Sequence, residues 1–111
     1  MKLSLKEIVE ITDGVLISGN PEDEVLDLCI DSRMAKKGDL FIPLLGANTD
    51  GHHYLLSALK EASAALCSQE GILVSEEKGL ILVKDTEKAM DAIGVYRMNL
   101  RNRLKKEPDK N

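Results

Sequence analysis

Short strand-like apolar stretches alternating with helical ones predict an α/β fold, a small layered domain in which a short mixed or parallel sheet packs with about three helices. Two features carry this expectation. Leu26, Leu28 and Ile30 alternate with Asp27, Cys29 and Asp31, the period-two signature of a strand. Leu40-Phe41-Ile42-Pro43-Leu44-Leu45 is a dense apolar run, as in a strand buried on both faces, with Pro43 marking an edge, a bulge or the strand's end. The chain has 111 residues, the size of one domain with a single core.

The remaining elements follow in order. Ser4 and Glu7 fit a capping box ahead of a helix that lines up Leu5, Ile8, Val9 and Thr12, and Asp13-Gly14 stops it. Val15-Leu16-Ile17 reads as a brief strand closed by the turn Ser18-Gly19-Asn20-Pro21. Gly46 to Gly51 is loop by composition. A second helix follows, with Tyr54, Leu55, Ala58, Leu59 and Ala62 on its apolar face. Ala64 to Cys67 and Leu80 to Val83 are further strand candidates. Thr86 reads as the N-cap of a last helix carrying Ala89, Ile93, Tyr96 and Leu100. Residues 1–104 form the expected domain, and the charged, proline-containing stretch 105–111 reads as a linker.

Composition narrows the function. One Phe, two Tyr and no Trp leave no aromatic platform for bases, and a formal charge of −4 argues against a polyanion binder, so no nucleic-acid partner is expected. Cys29 and Cys67 sit in apolar runs without Cys-x-x-Cys spacing and read as buried, reduced thiols. Met1-Lys2-Leu3-Ser4 runs into a polar helix pattern rather than a signal peptide, and no apolar run approaches the ~20 residues of a membrane span. The expectation is a soluble, cytoplasmic chain with no membrane partner.

The sequence holds no Gly-Lys pair, hence no P-loop, and no Gly-x-Gly-x-x-Gly. His52-His53 side chains on a helix would diverge by about 100°, and no Cys/His/Asp set completes a metal site. Ser32 and Ser57 lie in no nucleophile elbow, and neither cysteine has an evident histidine partner. No catalytic residue and no metal ligand is expected.

Two polar segments remain, each directly after a predicted strand: Asp31-Ser32-Arg33, and Gly46-Ala47-Asn48-Thr49-Asp50-Gly51-His52. Ligands of open α/β sheets bind beyond the carboxyl ends of strands. Were the two strands parallel neighbours, a hydroxyl, an amide and loop N–H groups would meet on one rim, able to take a phosphate or a base edge. On the residues alone, ordinary turn chemistry is the simpler explanation, with Asp31 and Asp50 as caps and Ser32 as a turn residue.

Taken together, Asp31-Ser32-Arg33, Lys37-Gly38-Asp39-Leu40-Phe41-Ile42-Pro43, Gly46 and Asp50-Gly51-His52 resemble the N-terminal domain of Mur ligases, which build the peptide stem of peptidoglycan precursors. The likeness extends through Ala62 to Leu66, with Ser63 where a glycine is common, and into Val83-Lys84-Asp85-Thr86. It implies a domain that binds the UDP part of a UDP-N-acetylmuramoyl-peptide. Ile30, Ser32, Ala47, Asn48 and Thr49 would be its contacts, with Asp31, Arg33 and Asp50 supporting the loops. It also implies that ATP and Mg²⁺ act in central and C-terminal domains outside this chain, where the peptide's carboxylate is phosphorylated and then attacked by an amine. Without those domains the chain would be inactive. Phe41 to Leu44, the Asp50-Gly51-His52 helix start and Tyr96-Arg97 look most like the members that add D-alanyl-D-alanine. The alternatives are the members that add the third residue, lysine or diaminopimelate, or a stand-alone binding module. An Asp50 cap would repel a diphosphate on the helix axis, which puts the phosphates nearer Ser32 and the Asn48-Thr49 amides.

Overall fold

The structure, a computed structural model, describes residues 2–46 and 48–106, except for the side chains of 105 and 106. In chain order its elements are β1 (Leu3–Ser4), α1 (Leu5–Thr12), β2 (Val15–Ser18), β3 (Glu24–Val25) and β4 (Asp27–Cys29). A 3-10 turn (Ser32–Met34), β5 (Asp39–Phe41), a second 3-10 turn (Gly51–Tyr54) and α2 (Leu55–Ala58) follow. The chain continues through β6 (Ala64–Cys67) and β7 (Gly79–Leu82) to α3 (Thr86–Lys106).

The capping box at Ser4 forms in both directions: Glu7 N–H donates to Ser4 Oγ at 3.1 Å and Ser4 N–H to Glu7 Oε1 at 2.9 Å. At the other end Asp13, rather than Gly14, takes the left-handed conformation, at φ 57°. The cap of α3 also falls one residue away from expectation. Asp85 Oδ1 accepts the Lys88 N–H at 2.9 Å, while Thr86 is already in the helix and buried. The helix runs through Lys106, past the expected linker start at 105. Residues 107–111 lie outside the described residues.

Five strands form a mixed sheet in the order β2-β7-β6-β5-β4, with β2 antiparallel to β7 and the other pairs parallel. A separate two-stranded ribbon pairs Leu3 with Val25. Neither of its strands was legible in the sequence, because two residues are too few to show alternation.

Both faces of the sheet are covered, which the period of two makes visible. Leu40, Ile42, Ala64, Leu66, Ile81 and Val83 meet α1 and α3 through Leu5, Ile8, Ala89 and Ile93. Phe41, Ala65, Cys67 and Leu80 face Leu55, Ala58, Leu59 and Ala62. The strand expected around Leu28 exists, but its burial is not that of Leu26, Leu28 and Ile30. Leu26 and Ile30 are exposed, Leu28 is half-buried, and Cys29 is the buried residue. As the edge strand, β4 has each face only partly covered. Pro43 is buried just beyond the end of β5. Tyr54 and Leu100, expected on apolar helix faces, are largely exposed. Beyond Tyr96, which still packs half-buried against the core, the described side chains of α3 are exposed.

Leu66 lies in β6 with no exposed surface, so Leu66→Ala should cost roughly 2–5 kcal/mol by deleting buried methyls and leaving a cavity. Leu73→Ala, at a side chain 87% exposed, should stay within about 0.5 kcal/mol. Urea denaturation of the two variants checks the contrast.

Candidate functional site

Because β4, β5 and β6 are parallel neighbours, they leave the sheet at one edge. The segments after them share that rim: residues 30–33, residues 45–46 and 48–51, and the turn that starts at Ser68. Ile30 is 58% exposed at the end of β4. Asp31 then caps the 3-10 turn by accepting Arg33 N–H at 3.0 Å. The Arg33 guanidinium returns to the same carboxylate through Nε at 3.0 Å and Nη2 at 2.9 Å. That bidentate pairing holds the Asp31 carboxyl below its ordinary value. Ser32 is half-buried, and its carbonyl accepts Ala35 N–H. Capping falls to Asp31 and not to the Ser32 hydroxyl. Beneath the turn, the Cys29 thiol donates to the Asp31 carbonyl at 3.1 Å. Burial raises the thiol pKa of Cys29 and Cys67.

The second segment is a loop closed on itself. Gly46 N–H donates to Thr49 O at 2.7 Å, Gly51 N–H donates to Leu44 O at 2.8 Å, and Leu45 bridges Asp50. Asn48 and Thr49 are exposed at its tip; Ala47 lies outside the described residues. Gly51 is required by proximity, since a Cβ there would lie 2.6 Å from Leu44 N and 2.9 Å from Leu44 O.

Asp50 ties this loop to the third segment. Its Oδ1 accepts His52 N–H at 3.0 Å and lies 2.8 Å from His52 Nδ1. Its Oδ2 accepts the Gln69 side-chain amide at 3.0 Å. These bonds, led by the His52 backbone N–H and then its ring, hold the Asp50 carboxyl below its ordinary value. On its other side the His52 ring takes Ser68 N–H at Nε2, 2.9 Å away.

At the opposite edge, Asp39 accepts Lys36 N–H at 3.0 Å and Lys36 Nζ at 3.2 Å, its side chain only 3% exposed. Ser63, the departure from the common glycine, accepts Gly38 N–H at 2.8 Å.

The sequence-expected residues Ile30, Ser32, Asn48 and Thr49 therefore sit on adjacent strand exits, with Asp31, Arg33 and Asp50 bonded within the loops around them. Missed in the sequence were Ser68 and Gln69, although a polar turn straight after Ala64 to Cys67 obeys the same strand-exit rule. A cavity of about 190 Å³ lies between Ile17, Cys67, Ile72 and Leu82, and a groove of about 500 Å³ runs along α3 past Leu3, Tyr96, Met98 and Leu104. Among the described residues no three His, Cys, Asp or Glu side chains gather as metal ligands would, and no helix is long and apolar enough to cross a membrane.

No established family profile matches the chain. It is 35% identical over 86 residues to the UDP-N-acetylmuramoyl-L-alanyl-D-glutamate–2,6-diaminopimelate ligase of Clostridium perfringens, covering 78% of this chain and 18% of that enzyme. Against the ligase of the same name from Bacteroides fragilis it is 39% identical over 93 residues, covering 83% and 19%. Crystal structures of MurF from Acinetobacter baumannii share its fold at 24% identity, with TM-scores of 0.78 and 0.76, over 90% of this chain and 22% of theirs. By these sequence relatives the chain belongs to the Mur ligase family, and it spans 18–19% of their length.

Asp50 generates a pH prediction. Its folded pKa lies below the ordinary 3.8, so its stabilisation is fully present above that value and is lost as pH falls through the lower, folded one. Acid unfolding of Asp50→Asn should show a shallower loss of stability in that window than the parent. Gly51→Ala should destabilise by about 1–3 kcal/mol, since backbone must move to admit the methyl; thermal melts measure it.

Proposed function

We propose that this chain is the N-terminal, nucleotide-sugar-binding domain of a Mur ligase, holding the UDP end of a UDP-N-acetylmuramoyl-peptide on the rim formed by residues 30–33 and 46–50. The observation that carries this reading is the convergence of exposed Ile30, half-buried Ser32 and the self-closed loop bearing Asn48 and Thr49 on adjacent parallel strand exits. Loop N–H groups, the Ser32 hydroxyl and the Asn48 amide supply donors for phosphate oxygens and a base edge. Ile30 supplies apolar surface for a ring.

In this reading the domain performs no bond-making. Anchoring the nucleotide far from the reacting carboxylate lets remote binding energy position the other end of the substrate. The residues described fit neither ATP nor Mg²⁺. When bound to the remainder of the enzyme, those would supply acyl activation. The groove along α3, with Met98 and Leu104 exposed beside Tyr96, supports packing against further domains of the same protein. The proposed compartment is the cytoplasm, where the nucleotide-linked precursor would be met.

The acceptor amine is a finer question. Phe41 to Leu44 and Tyr96-Arg97 carry the expectation of D-alanyl-D-alanine. The relatives at 35% and 39% identity carry diaminopimelate in their names, and that supports the third-residue-adding alternative. The 24% likeness to MurF bears on fold alone. Supplying the product of the whole reading frame with ATP and either UDP-N-acetylmuramoyl-L-alanyl-D-glutamate plus diaminopimelate or the tripeptide plus D-alanyl-D-alanine decides between them.

For the site itself, Ser32→Ala and Asn48→Ala should each weaken UDP-N-acetylmuramic acid binding by roughly 10- to 150-fold, the loss of one hydrogen bond to a charged group. Stability should change by no more than about 0.5 kcal/mol. Chemical-shift titration measures the first and denaturation the second. Shifts confined to the α3 groove would refute the site, and unfolding of Ser32→Ala would return it to turn chemistry.

A further inference from the structure

His52 is held at both ring nitrogens by different parts of the fold. Nδ1 lies 2.8 Å from Asp50 Oδ1, inside its own turn, and Nε2 lies 2.9 Å from the backbone N–H of Ser68, at the exit of β6. A backbone N–H can only donate, so Nε2 accepts and Nδ1 carries the proton toward Asp50. The imidazole is 6% exposed, and Gln69 closes the circuit by donating its amide to Asp50 Oδ2 at 3.0 Å. A surface histidine with no task beyond capping needs the Asp50 bond alone, because the Asp50 carboxylate already accepts His52 N–H. The bond to Ser68 instead reaches 16 residues along the chain, across to the neighbouring strand exit.

We propose that His52 is a positioning residue for the ligand rim: its imidazole locks the loop bearing Asn48, Thr49 and Asp50 against the exit of β6 and makes Ser68 and Gln69 the third side of the rim. The inference rests on the nucleotide reading above and deepens it. Loop 46–50 otherwise holds itself through short-range bonds, Gly46 to Thr49 and Gly51 to Leu44. Without the cross-strand bond the loop keeps its shape but loses its fixed place relative to Ile30 and Ser32. A ligand would then have to order that placement on binding.

Three variants separate this role from a local cap. In His52→Gln the terminal amide oxygen reaches about the Nε2 position and still accepts Ser68 N–H. In His52→Asn the amide sits near Nδ1 and keeps only the bond to Asp50. His52→Ala has neither. Binding of UDP-N-acetylmuramic acid, read by shift titration, should weaken roughly tenfold in the Ala and Asn variants and stay within about threefold in the Gln variant. Amide exchange at Ser68 should rise in the same two variants, while Gly46 and Gly51, bonded within the loop, and Leu40 and Ala65 in the core stay protected. Rescue by Asn instead of Gln, or an Ala variant that binds as the parent does, would overturn the positioning role and leave the nucleotide reading intact. Loss of core protection in all three variants would also overturn it, making His52 a folding residue. If the parent shows no rim shifts at all, the nucleotide reading fails. The latch is then supported or refuted by whether exchange separates Gln from Asn.

Discussion

Parallel pairing of β4, β5 and β6 is the constraint on which the proposed site depends. It sends three chain segments out of the sheet at the same edge, whatever their sequences. Register keeps the two faces distinct: Leu28 opposes Leu40, Leu40 opposes Ala64, and Leu66 opposes Ile81. A slip of one residue would exchange the α1–α3 face for the α2 face along a whole strand. The bonds that fix this register lie at the edge away from the rim. There Asp39 closes on Lys36, Ser63 Oγ accepts Gly38 N–H, Ser63 N–H donates to Asp39 O, and Gly79 N–H donates to Ser63 O. In the proposed reading, stability and binding therefore draw on opposite edges of one sheet. The serine that replaces a common glycine at 63 belongs to the stabilising edge, where its hydroxyl gives a buried backbone donor an extra partner.

In the proposed reading the rim would receive an anion although its side chains include Asp31 and Asp50. Both carboxylates are occupied within the protein, Asp31 by Arg33 and Asp50 by His52 and Gln69. Their lone pairs are turned toward fixed donors, so the negative charge facing a ligand is reduced. Asp50 also caps a four-residue 3-10 turn leading into a four-residue helix, too short to present a substantial dipole. Individual N–H groups of the loop, more than a helix axis, are what this rim offers a phosphate.

Much of the sheet was legible because its strands carry strong local signals. The Ala64 to Cys67 run and the Ser4–Glu7 box each state their element without tertiary help, and the Leu40 to Leu45 run marks β5, although the strand ends at Phe41 and Leu45 is exposed. Where the reading slipped, long-range context decided the outcome. Edge position left Leu26 and Ile30 exposed and buried Cys29 instead, and a capping carboxylate at Asp85 took the place given to Thr86. The β1–β3 ribbon is set by pairing across the α1 excursion, for which two residues hold no pattern. At the site, the segments after β4 and β5 were legible as polar stretches behind strands. The bond from His52 to Ser68 was not, because it links residues whose adjacency exists only once β5 and β6 have paired.

Intermolecular NOEs between the uracil and ribose protons of UDP-N-acetylmuramic acid and the protein test the rim directly. They should connect the nucleotide to the Ile30 methyls and to Asn48 and Thr49, with the Gln69 side chain at the margin. NOEs instead to Met98 and Leu104 along α3, or to Ile17 and Ile72 in the cavity beside β2, would show that the nucleotide binds elsewhere.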